Sequence, residues 1–186
     1  ADVIGMETAR MNRLVQDLLT LTKLDAGTIA FSFKTLDLNP LLDVAQYRFT
    51  PRTEAADIHF EVHKSDRPAT IYGDPDRLMQ LLDNLLDNAL KFTPAGGKII
   101  LRCEVNGDMV WVHVIDTGEG IPVEEQARIF ERFYQVDKAR TGGEVRGYGL
   151  GLAICQQIVQ THNGELSVTS QPGAGSHFVV KIPLQP

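Results

Sequence analysis

The chain has 186 residues, 43% hydrophobic and 23% charged, with 24 acidic against 18 basic side chains and a formal net charge of −6. That supplies one globular core with a small appendage, and the acidic balance argues against a nucleic-acid backbone as partner. No apolar run approaches the roughly 20 residues that cross a bilayer, and no leader-like segment opens the sequence. A soluble, cytoplasmic piece is therefore expected, with any sensor or membrane anchor of a longer parent ahead of Ala1. Cys103 and Cys155 sit in separate apolar runs with no metal or redox spacing around them, and read as reduced core thiols.

From Asp2 to about Leu24, Ile4, Met11, Leu14, Leu18 and Leu21 recur at helical spacing, with Val15 and Leu19 widening the stripe. So long a stripe calls for a partner helix or a second subunit, the alternative being that it docks on the domain that follows. Asp25, Ala26 and Gly27 break the helix, and residues 31–38 alternate as a strand. Asn39 before Pro40 is an expected cap for a helix over residues 41–52. Short strands follow at residues 59–62 and 70–72. Asp74 then caps a helix with Pro75 in its first turn, whose buried face carries Leu78, Leu82, Leu85 and Ala89 as far as Phe92.

Residues 99–105 and 109–115 form a hairpin joined by Asn106 and Gly107, and the second strand is apolar enough to be central. Periodicity fades between Thr117 and Gly149, a stretch with six glycines and only a short apolar piece at Ile129 and Phe133. A loop of that length inside a compact domain is functional or disordered. A helix over residues 150–162, stopped by Asn163 and Gly164, and two last strands at 165–169 and 177–182 complete the layout. The fold class expected is an α/β (α+β) two-layer sandwich, a mixed, mostly antiparallel sheet with helices on one face, preceded by one long helix. The boundary falls between residues 1–27 and 28–186.

Three segments carry groups suited to chemistry. Asn84, Asn88 and Lys91 are spaced by four and three residues and line one helix stripe. Amide oxygens suit a hard cation that is shared with phosphates, and an ammonium meets phosphate as a point charge. By itself such a stripe is better explained as a solvated helix face. Asp116, Gly118 and Gly120 in DTGEGI end the apolar strand, where a carboxylate can accept from an exocyclic amine and glycines admit a flat ligand, although an ordinary turn has the same look. Gly147, Gly149 and Gly151 in GYGLGL lead into a helix whose first amides and dipole can hold phosphate. Neither a dinucleotide fingerprint after a first strand nor a GxxxxGK[ST] loop is present.

In this order, Asn84 with Asn88, then DTGEGI, then the FERF segment at residues 130–133, then GYGLGLAI resemble the N, G1, F and G2 boxes of sensor histidine kinases. The resemblance runs from about Phe31 to Pro183, with GAGSHF at residues 173–178 similar to the family's last glycine-rich turn. RMNRLVQDLLTLTKLDAG from Arg10 looks like the second helix of the family's dimerisation hairpin. The resemblance implies the Bergerat-type ATP-binding sandwich shared with Hsp90, DNA gyrase B and MutL, with ATP and Mg²⁺ as cofactors. It implies that Asn88 is the Mg²⁺ ligand, Asn84 stands beside the phosphates and Lys91 contacts them. It also implies that Phe92 packs on the adenine, Asp116 takes the adenine amine, and Gly118, Gly120 and Ile121 shape that wall. Gly147, Gly149, Leu150 and Gly151 would close on the phosphates under a lid at residues 137–146.

The activity so implied is transfer of the ATP γ-phosphoryl group to a histidine, for relay to a response regulator, by a parent that is a homodimer. The family places the acceptor histidine before Glu or Asp and then Arg, Thr and Pro, and none of His59, His63, His113, His162 or His177 has that context. All five read as structural, so nucleotide binding without self-phosphorylation is expected. Gln135 stands where the family often has a basic residue, and Arg132, Lys138 or Arg140 are its candidate substitutes. The competing classes are a superfamily ATPase clamp, which needs further domains, and a nucleotide-binding regulator or anti-sigma-type serine kinase, which has no use for a histidine hairpin.

Overall fold

The computed structural model describes residues 2–136 and 148–185. Helix α1 (Asp2–Asp25) leads through residues 26–33 into strand β1 (Lys34–Asp37). Then come α2 (Asn39–Ala55), β2 (His59–His63), β3 (Thr70–Gly73), α3 (Pro75–Phe92), β4 (Lys98–Asn106) and β5 (Met109–Asp116). A short α4 (Val123–Gln126), α5 (Gly151–Thr161), β6 (Glu165–Gln171) and β7 (Gly175–Pro183) complete the order. Among the described residues β2, β4, β5, β7 and β6 make one sheet in that order, with β2–β4 parallel and the other pairs antiparallel, while β1 and β3 pair as a separate ribbon.

Register explains the core. Side chains alternate across a strand, so pairing Leu101 with Val114 and Val114 with Phe178 places all three on one face. Cys103, Val112 and Val180 form the next rung, followed by Val105, Val110 and Ile182. Helices α2 and α3 cover that face, because Leu38, Leu42, Leu78, Leu81 and Leu82 meet Val112, Val180 and Ile182. Ile154 and Ile158 of α5 complete a core that is at most a few per cent exposed apart from the half-buried Val105. Each such side chain contributes about 1.5–3 kcal/mol when fully buried. The outer face carries Trp111, which Lys181 Nζ covers at 4.8 Å, and His113, whose Nδ1 lies 2.9 Å from His177 Nε2. The expectation that β5 is central and nearly buried on both faces holds for this reason.

Asp74 caps α3 as expected, its Oδ1 accepting from Asp76 N and Arg77 N at 3.0 and 3.1 Å. Asn163 takes φ 54 at the end of α5, where Gly164 N donates to Val159 O, so the stop signal is also correct. Four local readings need correction. Asn39 does not cap α2; the cap position is Leu38, and Asn39 instead exchanges two hydrogen bonds with the Ser65 backbone. The first strand is Lys34–Asp37 alone, because the Phe31 and Phe33 rings turn against His162, at centroid distances of 6.1 and 4.9 Å. The hairpin turn is one residue later than read: Asn106 pairs with Met109, and Gly107 at φ 61 takes the first turn position. The fading region contains a helix, α4, too short for periodicity to reveal.

The α1 stripe divides. Leu21 is buried and Leu14 packs on the same core, where α1 meets α5, while Met11, Val15, Leu18 and Leu19 stay exposed. No helix of the described residues is long and apolar enough to cross a membrane.

Candidate functional site

Asp116 is where the core face runs out. It follows Val110, Val112 and Val114 at a period of two, so the register aims a carboxylate into the same layer as three valines. The residue is 6% exposed. Burial pushes its pKa above the usual carboxylate value, partly offset by the backbone N–H groups of Gly118 and Ser176. Gly118 N donates to Oδ1 at 2.8 Å. A buried carboxylate that already accepts from two amides, at the open end of a sheet, is built to accept from one more donor.

The glycines beside it are spatial necessities. A Cβ on Gly118 would press against the Phe92 carbonyl, and one on Gly120, at φ 71, would collide with the Gln171 carbonyl. Gly175, at φ 84, is equally tight against the Asp116 carbonyl. Ile121 N donates to Ser170 Oγ at 2.8 Å, and that hydroxyl donates to Gly175 O at 2.7 Å. The DTGEGI loop is thus bolted to the β6–β7 turn. Sequence reasoning missed Ser170 and Ser176 as part of this wall; Ser176 stands inside GAGSHF, so the signal was present but had no role attached.

Helix α3 joins this wall to the glycine-rich segment. At its C-terminal end, Glu119 N donates to Phe92 O at 3.3 Å, and Lys91 Nζ lies 4.6 Å from the Phe92 ring centre. Two turns earlier Asn84 Nδ2 donates to Gly151 O at 3.2 Å, pinning the first turn of α5. Asn88 lies between them, half-buried. At 1.5 Å rise per residue the distance from Asn84 to Phe92 is about 12 Å. Helix α5 has no side-chain cap: Leu150, 1% exposed, occupies the cap position and its carbonyl accepts from Ile154 N. The cap residue thus gives the leading amides no side-chain acceptor of its own, the arrangement that suits an anion. Gly149 takes φ 70, and its carbonyl accepts from Phe133 N at 2.9 Å.

The fold thus brings together two sets of candidates along one helix, Asn84 with Gly149, Leu150 and Gly151, and Lys91 with Phe92, Asp116, Gly118, Gly120 and Ile121. Arg132 is exposed in the FERF segment. Gly147, the lid at residues 137–146, Lys138 and Arg140 lie outside the described residues. Among the described residues no cluster of three His, Cys, Asp or Glu could hold a metal. A cation at Asn88 would therefore rest on amide oxygen, water and the phosphates of a ligand, the coordination magnesium favours. The residues fit it on those terms.

The histidines are accounted for elsewhere. The Lys98 ammonium, with His63 and His59 flanking Glu61 on β2 at 3.2 and 2.9 Å, holds the Glu61 carboxyl down at about 2. His113 pairs with His177, and His162 is buried at the end of α5. A cavity of about 270 Å³ lined by Lys64, Arg67 and Arg102 opens near the C-terminal end of β4, away from Asp116, which pairs with Ile99 at the other end of that strand.

These features define a two-layer α/β sandwich with an amphipathic helix running between a carboxylate wall and a glycine-rich helix start. Residues 73–186 match the family of histidine kinase-, DNA gyrase B- and HSP90-like ATPases, and the chain belongs to that family. It is 38% identical over 181 residues to the alginate biosynthesis sensor protein KinB of Pseudomonas aeruginosa, covering 97% of this chain and 30% of that protein. It is 35% identical over 181 residues to the sensor protein SrrB of Staphylococcus aureus strain N315, covering 97% of this chain and 31% of that one. The chain thus spans under a third of the length of these curated relatives.

Among solved structures, full-length ShkA in complex with AMPPNP superposes with a TM-score of 0.83 at 32% identity, over 99% of this chain and 39% of that one. The catalytic domain of histidine kinase ThkA does so with 0.73 at 29%, over 84% of this chain and all of that domain. The sandwich expected from sequence is present, and the chain is homologous to sensor histidine kinases.

Proposed function

We propose that this chain is the ATP- and Mg²⁺-binding catalytic module of a sensor histidine kinase, moving the γ-phosphoryl group of ATP to a histidine on a hairpin outside this chain. The observation that carries the reading is the hydrogen bond from Asn84 Nδ2 to Gly151 O on a helix whose other end meets the Asp116 wall. One helix thereby links a place for the adenine to a place for the phosphates. The nucleotide-bound state of the homologous ShkA supports it.

In this reading the Asp116 carboxylate accepts from the adenine amine while Gly118 and Gly120 let the ring lie against backbone. Phe92 packs beside the base. Lys91 and the leading amides of α5, at Gly149, Leu150 and Gly151, meet the phosphate oxygens, and Gly147 and the lid close over them. Asn88, with Asn84 a turn away, holds Mg²⁺, which when bound neutralises charge on the β- and γ-phosphates. Transfer breaks the bond from the γ-phosphorus to the β,γ-bridging oxygen, makes one to an imidazole nitrogen, and leaves ADP. The acceptor's proton passes to a base beside that histidine. The protein's work is positioning and charge stabilisation. Residues 1–27 are the second hairpin helix and 28–186 the catalytic domain. The parent acts as a homodimer and hands the phosphoryl group to a response regulator, as the complex of ThkA with the response regulator TrrA suggests.

Calorimetry with a non-hydrolysable ATP analogue tests this, with and without Mg²⁺, on the chain and on Asn88→Ala. Expected are binding that strengthens with Mg²⁺, loss of that increment in Asn88→Ala, no labelling of the chain alone by ATP, and labelling of an added histidine-bearing hairpin. Absence of nucleotide binding would overturn the reading.

A further inference from the structure

His162 holds together three parts of the chain that are remote in sequence. Its Nδ1 lies 2.7 Å from the Ile158 carbonyl oxygen, an acceptor only, so Nδ1 carries the proton. Its Nε2 lies 3.0 Å from the Asp74 backbone N–H, a donor only, so Nε2 presents its lone pair. Those two partners define a neutral imidazole of one tautomer. The ring is 2% exposed and packs so closely that a Cβ on Gly73 would sit 2.9 Å from its Cδ2.

The third part is the linker from α1. Phe31 meets the ring edge-on with centroids 6.1 Å apart, and Phe33 lies at 4.9 Å while also touching Tyr72 at 5.5 Å. Between the two phenylalanines, Ser32 N donates to Asp74 Oδ2 at 2.8 Å. The residue that gives its N–H to His162 therefore receives, through its side chain, the linker's own N–H.

We propose that His162 is the pin of a proton-sensitive clamp: neutral, it holds residues 31–33 against α3 and α5, and protonation at Nε2 frees that linker. A proton on Nε2 would face the Asp74 N–H with two donors head to head, so the ring must leave that hydrogen bond. The titratable groups around it are Asp74 and, through Asp74, Arg77 from α3, and Tyr72 from β3. The linker supplies Phe31, Ser32 and Phe33, and α5 a carbonyl. Burial lowers the His162 pKa from its ordinary 6.5, against the attraction of the Ile158 carbonyl and the Asp74 carboxylate. Because the folded value lies below the unfolded one, the clamp is at full strength above pH 6.5 and weakens as pH falls from there through the folded value. On the kinase reading given above, the linker sets how the catalytic layer stands to the hairpin helix, so the clamp would govern its reach to the acceptor.

The experiment is a nuclear magnetic resonance titration of the whole chain without nucleotide, from about pH 8 to about pH 5, a range in which the histidines titrate beside the α-amino group and the carboxylates that burial raises, Asp83 and Asp116. It reads the His162 ring together with amide-exchange protection factors at Ser32, Asp74 and the centre of β5. Expected is a His162 midpoint below 6.5, with protection at Ser32 and Asp74 falling by about tenfold per pH unit between 6.5 and that midpoint while staying below that of the β5 centre, the mark of a local opening. In His162→Phe the step should vanish. In Phe31→Ala/Phe33→Ala, Ser32 should be unprotected at every pH and the His162 midpoint should rise towards 6.5. Titration of His162 with Ser32 protection unchanged, or protection at Ser32 and Asp74 equal to that of β5 at every pH, which would mean exchange by global unfolding alone, would overturn the clamp. None of these readouts requires nucleotide, so their failure is separate from failure of the kinase reading.

Discussion

Replacing Asp116 by asparagine tests the candidate site at its most buried polar group. The change removes the charge and turns one acceptor oxygen into a donor, at a residue that is 6% exposed. Two effects on the fold oppose each other. Gly118 and Ser176 both donate to the carboxylate, and asparagine keeps one acceptor oxygen for the two, so an amide is left short at a cost of about 1–3 kcal/mol. Against this, burial raises the Asp116 pKa from 3.8, which means that the ionised side chain is a net penalty to folding above that pH, and asparagine removes it. The fold should therefore survive with a modest change in urea midpoint.

Binding has no such compensation. An adenine amine loses a charged acceptor worth about 1.5–3 kcal/mol and meets an NH₂ group or a fully occupied oxygen, which is about 10- to 150-fold in Kd. Calorimetry with the ATP analogue should show that loss. Inosine triphosphate, which carries a carbonyl in place of the amine, should show little loss or a gain. Equal losses for both nucleotides, or an unchanged Kd for the ATP analogue in a folded variant, would refute base recognition by Asp116.

Gly120→Ala should destabilise the domain by more than the about 1–2 kcal/mol that a left-handed backbone alone costs a side chain, because its Cβ also meets the Gln171 carbonyl; urea unfolding reads this. Cys103 and Cys155 are both buried, and burial pushes each thiol up to about 12. Neither should react with a thiol reagent near neutral pH until the protein is unfolded, and fast reaction of either in the native state would contradict the packing around β4 and α5.

Much of the catalytic layer was legible because its signals are local. Asp74 with Pro75 starts α3, Asn163 with Gly164 stops α5, and the alternation of Val110, Val112 and Val114 gives β5 its inward face. The site candidates were legible mostly as an ordered set, since Asn84, Asn88 and Lys91 alone could not be told from a solvated helix face. Two of the misreadings share one cause. Asn39 has the chemistry of a cap and Phe31 and Phe33 the alternation of a strand, but long-range partners took them, Ser65 in one case and His162 in the other.

The sequence by itself determined which residues are candidates for chemistry and in what order they stand, because capping, strand alternation and glycine placement depend on neighbours a few residues away. Only the tertiary structure decided that Asp116 is buried and held by Ser176, that Asn84 reaches Gly151, and that the α1 stripe divides between the α5 side and the exposed face. Each of those depends on strand register or helix packing between segments tens of residues apart. No local pattern encodes such distances; they follow from burying one continuous apolar face.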